Sequence, residues 1–75
     1  MFQIRQLGSS ENLREVKKLK AALLEAIALQ DGAETLEIYQ GDAKAAQVLK
    51  TGTVMVKKEF AEQVVRKWSL STIFR

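Results

Sequence analysis

Residues 10–30 read SENLREVKKLKAALLEAIALQ, and the way they fold decides the arrangement of everything around them. Leu13, Val16, Leu19, Leu23 and Ile27 recur at steps of three and four, the period of one helix face. Ser9 or Ser10 suits the capping of orphan amides at the start. Asp31-Gly32 follows the run, with a glycine fitted to the left-handed position after a helix. The pattern predicts one long helix over about Ser10–Gln30.

Working outward from that segment, Phe2 and Ile4 alternate with Gln3 and Arg5, which suits a half-buried strand over Phe2–Leu7 ended by Gly8-Ser9-Ser10. Beyond the helix, Thr35–Gln40 alternates again, with Leu36 and Ile38 on one face and Glu37 and Tyr39 on the other. Thr53–Lys57 is a third strand with Val54 and Val56 inward. Between these two, Asp42 is placed to cap a short helix, Ala43–Leu49, whose alanines favour that state; a long hairpin loop is the competing reading. From Lys58 to Trp68 the period returns to 3.6, and Phe60, Ala61, Val64, Val65 and Trp68 share one arc. Leu70–Phe74 reads as an edge strand or the start of a further helix. Gly8, Gly32, Gly41 and Gly52 all fall where the period changes.

The resulting order is β-α-β-(α)-β-α-(β), with the long helix as the crossover between two parallel strands. Because each strand alternates, only one sheet face is expected to be covered. The predicted class is α+β, an open-faced α/β sandwich of three or four strands with two or three helices packed on one face. The 75 residues make one domain, residues 1–75, whose core is small for its surface. No cysteine supplements that core, so self-association or a partner is a natural way to complete it.

Composition removes most chemistry. Histidine and cysteine are both absent. That eliminates imidazole bases, Ser-His-Asp and Cys-His nucleophiles and the usual zinc sites. The opening order of strand, turn and helix is similar to that of thioredoxin-like folds, but without a thiol no redox role follows. The turn Gly8-Ser9-Ser10 lacks the lysine and the spaced glycines of phosphate-binding loops. The carboxylates read as solvated surface groups. The expectation is a protein that is not an enzyme and takes no metal or cofactor. No apolar run is long enough to span a bilayer and no leader precedes Met1–Arg5, so a cytoplasmic chain with no membrane partner is expected.

Two surfaces remain. Alternation places Gln3, Arg5, Glu37, Tyr39, Met55 and Lys57 on the uncovered sheet face. Arg5, Tyr39, Met55 and Lys57 are the predicted contacts for a protein partner or for self-association, since tyrosine and methionine suit protein contacts. A single aromatic falls short of the two or three that RNA-binding sheets present. The alternative is nucleic-acid binding, consistent with the net charge of +3. It would use Arg14, Lys17 and Lys18 on one face of the long helix together with Lys58, Arg66 and Lys67, a group interrupted by Glu59 and Glu62. The favoured function is a non-enzymatic binding or regulatory module acting through a protein partner, with a homodimer as one form of that contact.

Overall fold

The first part of the predicted long helix, up to Lys18, is not helical, and three of its residues form a strand. The computed structural model describes residues 1–63 and 73–74. In it Arg14–Val16 (β2) runs antiparallel to Phe2–Gln6 (β1), with Val16 opposite Phe2 and Arg14 opposite Ile4. The helix proper, α1, spans Leu19–Leu29. Leu13 and Val16 still pack against the core, as the stripe required, but Val16 does so from β2 and Leu13 from the bend before it. Pairing with the outer edge of β1 satisfies backbone groups that a helix would leave unpaired on that strand, and such tertiary pairing outweighs local helix propensity.

The stripe is also rotated on α1 itself. Leu19, Ala22, Leu23 and Ala26 are buried, whereas Ile27, placed on the buried stripe by its spacing, is 38% exposed. With two alanines in the buried set, the helix can lie close to the sheet, which it touches at β1, β2, Leu36–Gln40 (β3) and Ala43–Val48 (β4).

The largest correction concerns Ala43–Leu49. This segment is neither a short helix nor a loop; as β4 it pairs with β3 on one side and with Val54–Lys57 (β5) on the other. Alanine's helix preference is worth only a fraction of a kcal/mol per residue, and two flanking ladders override it. Gly41-Asp42 makes the hairpin between Gln40 and Ala43. Gly41 has φ +62° and Asp42 does not enter the positive region, the combination of a type II′ turn with glycine first.

The sheet order is β2-β1-β3-β4-β5-β6, where β6 is Ile73–Phe74 and lies parallel to β5. The other five strands are mutually antiparallel. The α+β sandwich with two or three helices is therefore replaced by a mostly antiparallel sheet carrying one α-helix. Phe2–Gln6 and the next predicted strand are antiparallel neighbours, not a parallel pair joined by a crossover. The helix instead connects β2 to β3, which flank β1 on either side. Of the predicted helix Lys58–Trp68, Lys58–Gln63 is a 3₁₀ segment and the remainder lies outside the described residues.

The core occupies the inner face of the sheet, between the strands and α1. Ile4, Leu23, Ile38, Val48 and Val56 are fully buried there, and Phe60 of the 3₁₀ segment joins them edge-on to Phe2 at 6.2 Å between ring centroids. Gln30 ties the end of α1 to the sheet. Its side-chain amide Nε2 donates to the carbonyls of Glu34 at 2.8 Å and Val48 at 2.9 Å, while its Oε1 accepts from the Gly32 N–H at 2.8 Å.

Candidate functional site

Both α1 and Phe60 pack on the inner face, so among the described residues no helix covers the outer one. That face carries the residues assigned to it by alternation. Gln3 stands opposite Tyr39 and Arg5 opposite Glu37, and Gln47 stands opposite Glu37 on one side and Met55 on the other. Lys57 follows Met55 on the same face of β5 and is half-buried. The structure thus brings Arg5, Tyr39, Met55 and Lys57 to one surface.

Their immediate surroundings are more ordered than alternation alone implies. The Arg5 guanidinium lies 4.7 Å from the centroid of the Tyr39 ring, a cation–π geometry across a diagonal of the ladder. Asn12 holds it there, accepting from Arg5 Nε at 2.8 Å. The Tyr39 hydroxyl points to Glu37 Oε1 at 3.5 Å. Glu37 Oε2 accepts from Lys44 Nζ at 2.7 Å, and the same ammonium donates to Gln47 Oε1 at 2.6 Å. Gln47 Nε2 in turn approaches Met55 Sδ at 3.7 Å. One chain of polar contacts therefore runs across β3, β4 and β5.

Sequence reasoning missed two members of that chain, Lys44 and Gln47, because it read residues 43–49 as helix or loop. Glu37 was placed on the right face but as a solvated carboxylate; it is buried, at 6% exposure, and its charge is met by Lys44. A β-bulge makes this pairing possible. Ile38 stands opposite Ala46 and Tyr39 opposite Lys44, which leaves Ala45 as an extra residue. Strict alternation from Val48 and Ala46 would turn Lys44 into the core. The bulge turns it out, the re-aiming that such insertions produce.

Compared with protein-family models, characterised proteins and solved structures, the chain has no significant match. Its chemistry must be argued from its own residues.

The basic residues of the alternative reading are dispersed. Arg14 is on β2, and Lys17 and Lys18 lie in the bend between β2 and α1, so these three do not share a helix face. Arg14 donates to the neighbouring Leu13 carbonyl at 2.8 Å. Lys58 begins the 3₁₀ segment after β5, and β5 is separated from β2 by three strands, roughly 19 Å at the usual strand spacing. Arg66 and Lys67 lie outside the described residues. Among the described residues no group of three metal-ligating side chains occurs, and no helix is long and apolar enough to cross a membrane.

Proposed function

We propose that this chain is a non-enzymatic binding module that engages a protein partner through the outer face of its sheet, centred on Tyr39. The observation that carries this reading is the Arg5 guanidinium stacked 4.7 Å from the Tyr39 ring. An aromatic side chain held in place before contact loses little conformational freedom on binding, and preorganisation of this kind is a main source of affinity. Tyrosine, methionine and arginine are the types enriched in protein interfaces. Met55 and Lys57 extend the surface towards β5.

The absence of histidine and cysteine from the sequence supports a role without catalysis, metal or cofactor. A cytoplasmic, regulatory setting belongs to the same proposal.

The test compares the native chain with Tyr39→Ala/Met55→Lys as bait for partners from cell extract, after circular dichroism has shown both to be folded. A partner retained by the native chain and lost by the variant supports the sheet face. Equal retention by both rejects it. A mobility-shift titration of the native chain with labelled nucleic acid at two salt concentrations addresses the alternative: salt-sensitive binding lost with Arg14→Glu/Lys17→Glu would replace the protein-partner reading.

A further inference from the structure

The second surface is on the opposite side of the molecule, on α1, and it does not depend on the sheet-face reading. An amphipathic surface helix ordinarily turns charged residues outward. Here Ala21, Leu24, Ile27 and Ala28 face out, with Leu24 at 46% and Ile27 at 38% exposure. Together with Val16 of β2, the outward stripe borders a groove of about 290 Å³, lined by Val16, Ala21, Leu24, Glu25 and Ala28. The alanines on either side of Leu24 leave room for a second backbone to approach.

The charges at the ends of α1 say what fits. The helix has no acidic residue in its first turn and no basic residue in its last. Lys17, Lys18 and Lys20 sit at its N-terminal end, and Asp31 and Glu34 follow its C-terminal end. Both groups oppose the helix's own macrodipole, which favours anions at the start and cations at the finish. They are well placed for an antiparallel neighbour with the same sequence. Leu24 is the middle residue of α1, and Lys17 and Asp31 each lie two residues beyond one of its ends, so a two-fold axis at Leu24 brings the end of one copy that carries Lys17 to the end of the other that carries Asp31, twice. Such an interface is isologous and self-complementary. Neither Lys17 nor Lys20 makes an ion pair among the described residues, and Asp31 uses only Oδ1, which accepts from the Ala33 N–H.

We propose that a second copy of this chain docks antiparallel on α1, with Leu24 packed across the two-fold axis and Lys17 paired with the other copy's Asp31. A stable interface needs about 800 Å² from each partner, roughly a sixth of the 4801 Å² surface of this chain. A face one helix wide, with Leu24 and Ile27 as its large exposed apolar residues, offers less apolar surface than a large obligate interface. The dimer is accordingly weak and concentration-dependent.

Sedimentation velocity over a series from low micromolar to millimolar protein tests this. The native chain should pass from monomer to dimer. Leu24→Lys, a change at an exposed position whose fold circular dichroism checks first, should weaken dimerisation roughly tenfold or more, as loss of a central interface residue does. Lys17→Glu and Asp31→Lys should each weaken it, and the two together should restore it. Tyr39→Ala/Met55→Lys should leave it unchanged. A native chain monomeric throughout, a dimer indifferent to Leu24→Lys, a charge swap without restoration, or a dimer lost only with the sheet-face variant would each overturn the proposal.

Discussion

Lys44 reaches Glu37 at 2.7 Å, although the two residues are not opposite each other in the ladder: Glu37 pairs with Gln47, and Lys44 with Tyr39. The contact is diagonal, and it exists because the bulge at Ala45 puts Lys44 on the outer face. Its energetics are those of a largely buried pair, with side-chain exposures of 26% for Lys44 and 8% for Glu37. In that setting an ion pair owes more to the penalty of leaving one member alone than to mutual attraction.

Lys44→Met should therefore destabilise the fold by about 1–3 kcal/mol, since it strands a buried carboxylate while Lys44 itself keeps some solvent screening. Replacing both partners, Glu37→Gln with Lys44→Met, should recover much of that loss. Urea denaturation of the four proteins in the cycle measures the coupling, with about 1 kcal/mol or more expected between touching groups. A coupling near zero would mean that the pair is not formed in solution.

Gln30 closes the loop between α1 and β3 with three hydrogen bonds from one amide. Gln30→Ala should cost about 1–3 kcal/mol because the Val48 carbonyl and the Gly32 amide lose their partner together. Gln30→Glu separates the two roles: it keeps an acceptor for Gly32 and removes both donors. Amide hydrogen exchange at Gly32 should accelerate in the alanine variant and remain slow in the glutamate one.

These contacts also mark where the sequence was legible and where it was not. Period-two alternation placed Phe2, Ile4, Leu36, Ile38, Val54 and Val56 inward and their neighbours outward, because each of those strands has one buried face. It failed at β4, where the bulge breaks alternation and Ala43, Ala45 and Ala46 suggest a helix. The three-and-four spacing from Leu13 to Ile27 was read as one helix, although Val16 reaches the core from a strand and Leu13 from the bend just before it. A spacing of three residues is compatible with both when the chain bends between them, as it does at Lys17-Lys18. Of the site, Arg5, Tyr39, Met55 and Lys57 were readable because their strands alternate. Their connection through Lys44 and Gln47 was not, because it depends on which strands are neighbours.

Leu23 and Leu24 are adjacent, yet one is fully buried and the other 46% exposed. Leu23→Ala should cost about 2–5 kcal/mol, the range for emptying a core site, which is a large part of the stability of a domain this small. Leu24→Ala should stay within about 0.5 kcal/mol in dilute solution, where the monomer dominates. Thermal melts at low protein concentration compare them directly. Similar losses at both positions would contradict the burial of Leu23 and the outward position of Leu24.

Ala45 provides the least intuitive expectation. Removing a fully buried residue from a central strand ordinarily slips the register by one and turns the rest of the strand inside out. Here Ala45 is the unpaired residue of the bulge, so its deletion joins Ala46 directly to Lys44 and preserves both the Ile38–Ala46 and the Tyr39–Lys44 pairs. Lys44 stays on the outer face within reach of Glu37, and the loss is confined to one buried methyl and the local twist, on the order of 1 kcal/mol. Deleting Met55 instead removes a paired residue from a strand whose register with β4 has no bulge to absorb the loss, so either Val54 or Val56 must leave the core face and that variant should lose most of its stability. Circular dichroism and urea denaturation of the two deletions should separate them clearly, and an Ala45 deletion as damaging as the Met55 deletion would mean that β4 has no bulge at this point.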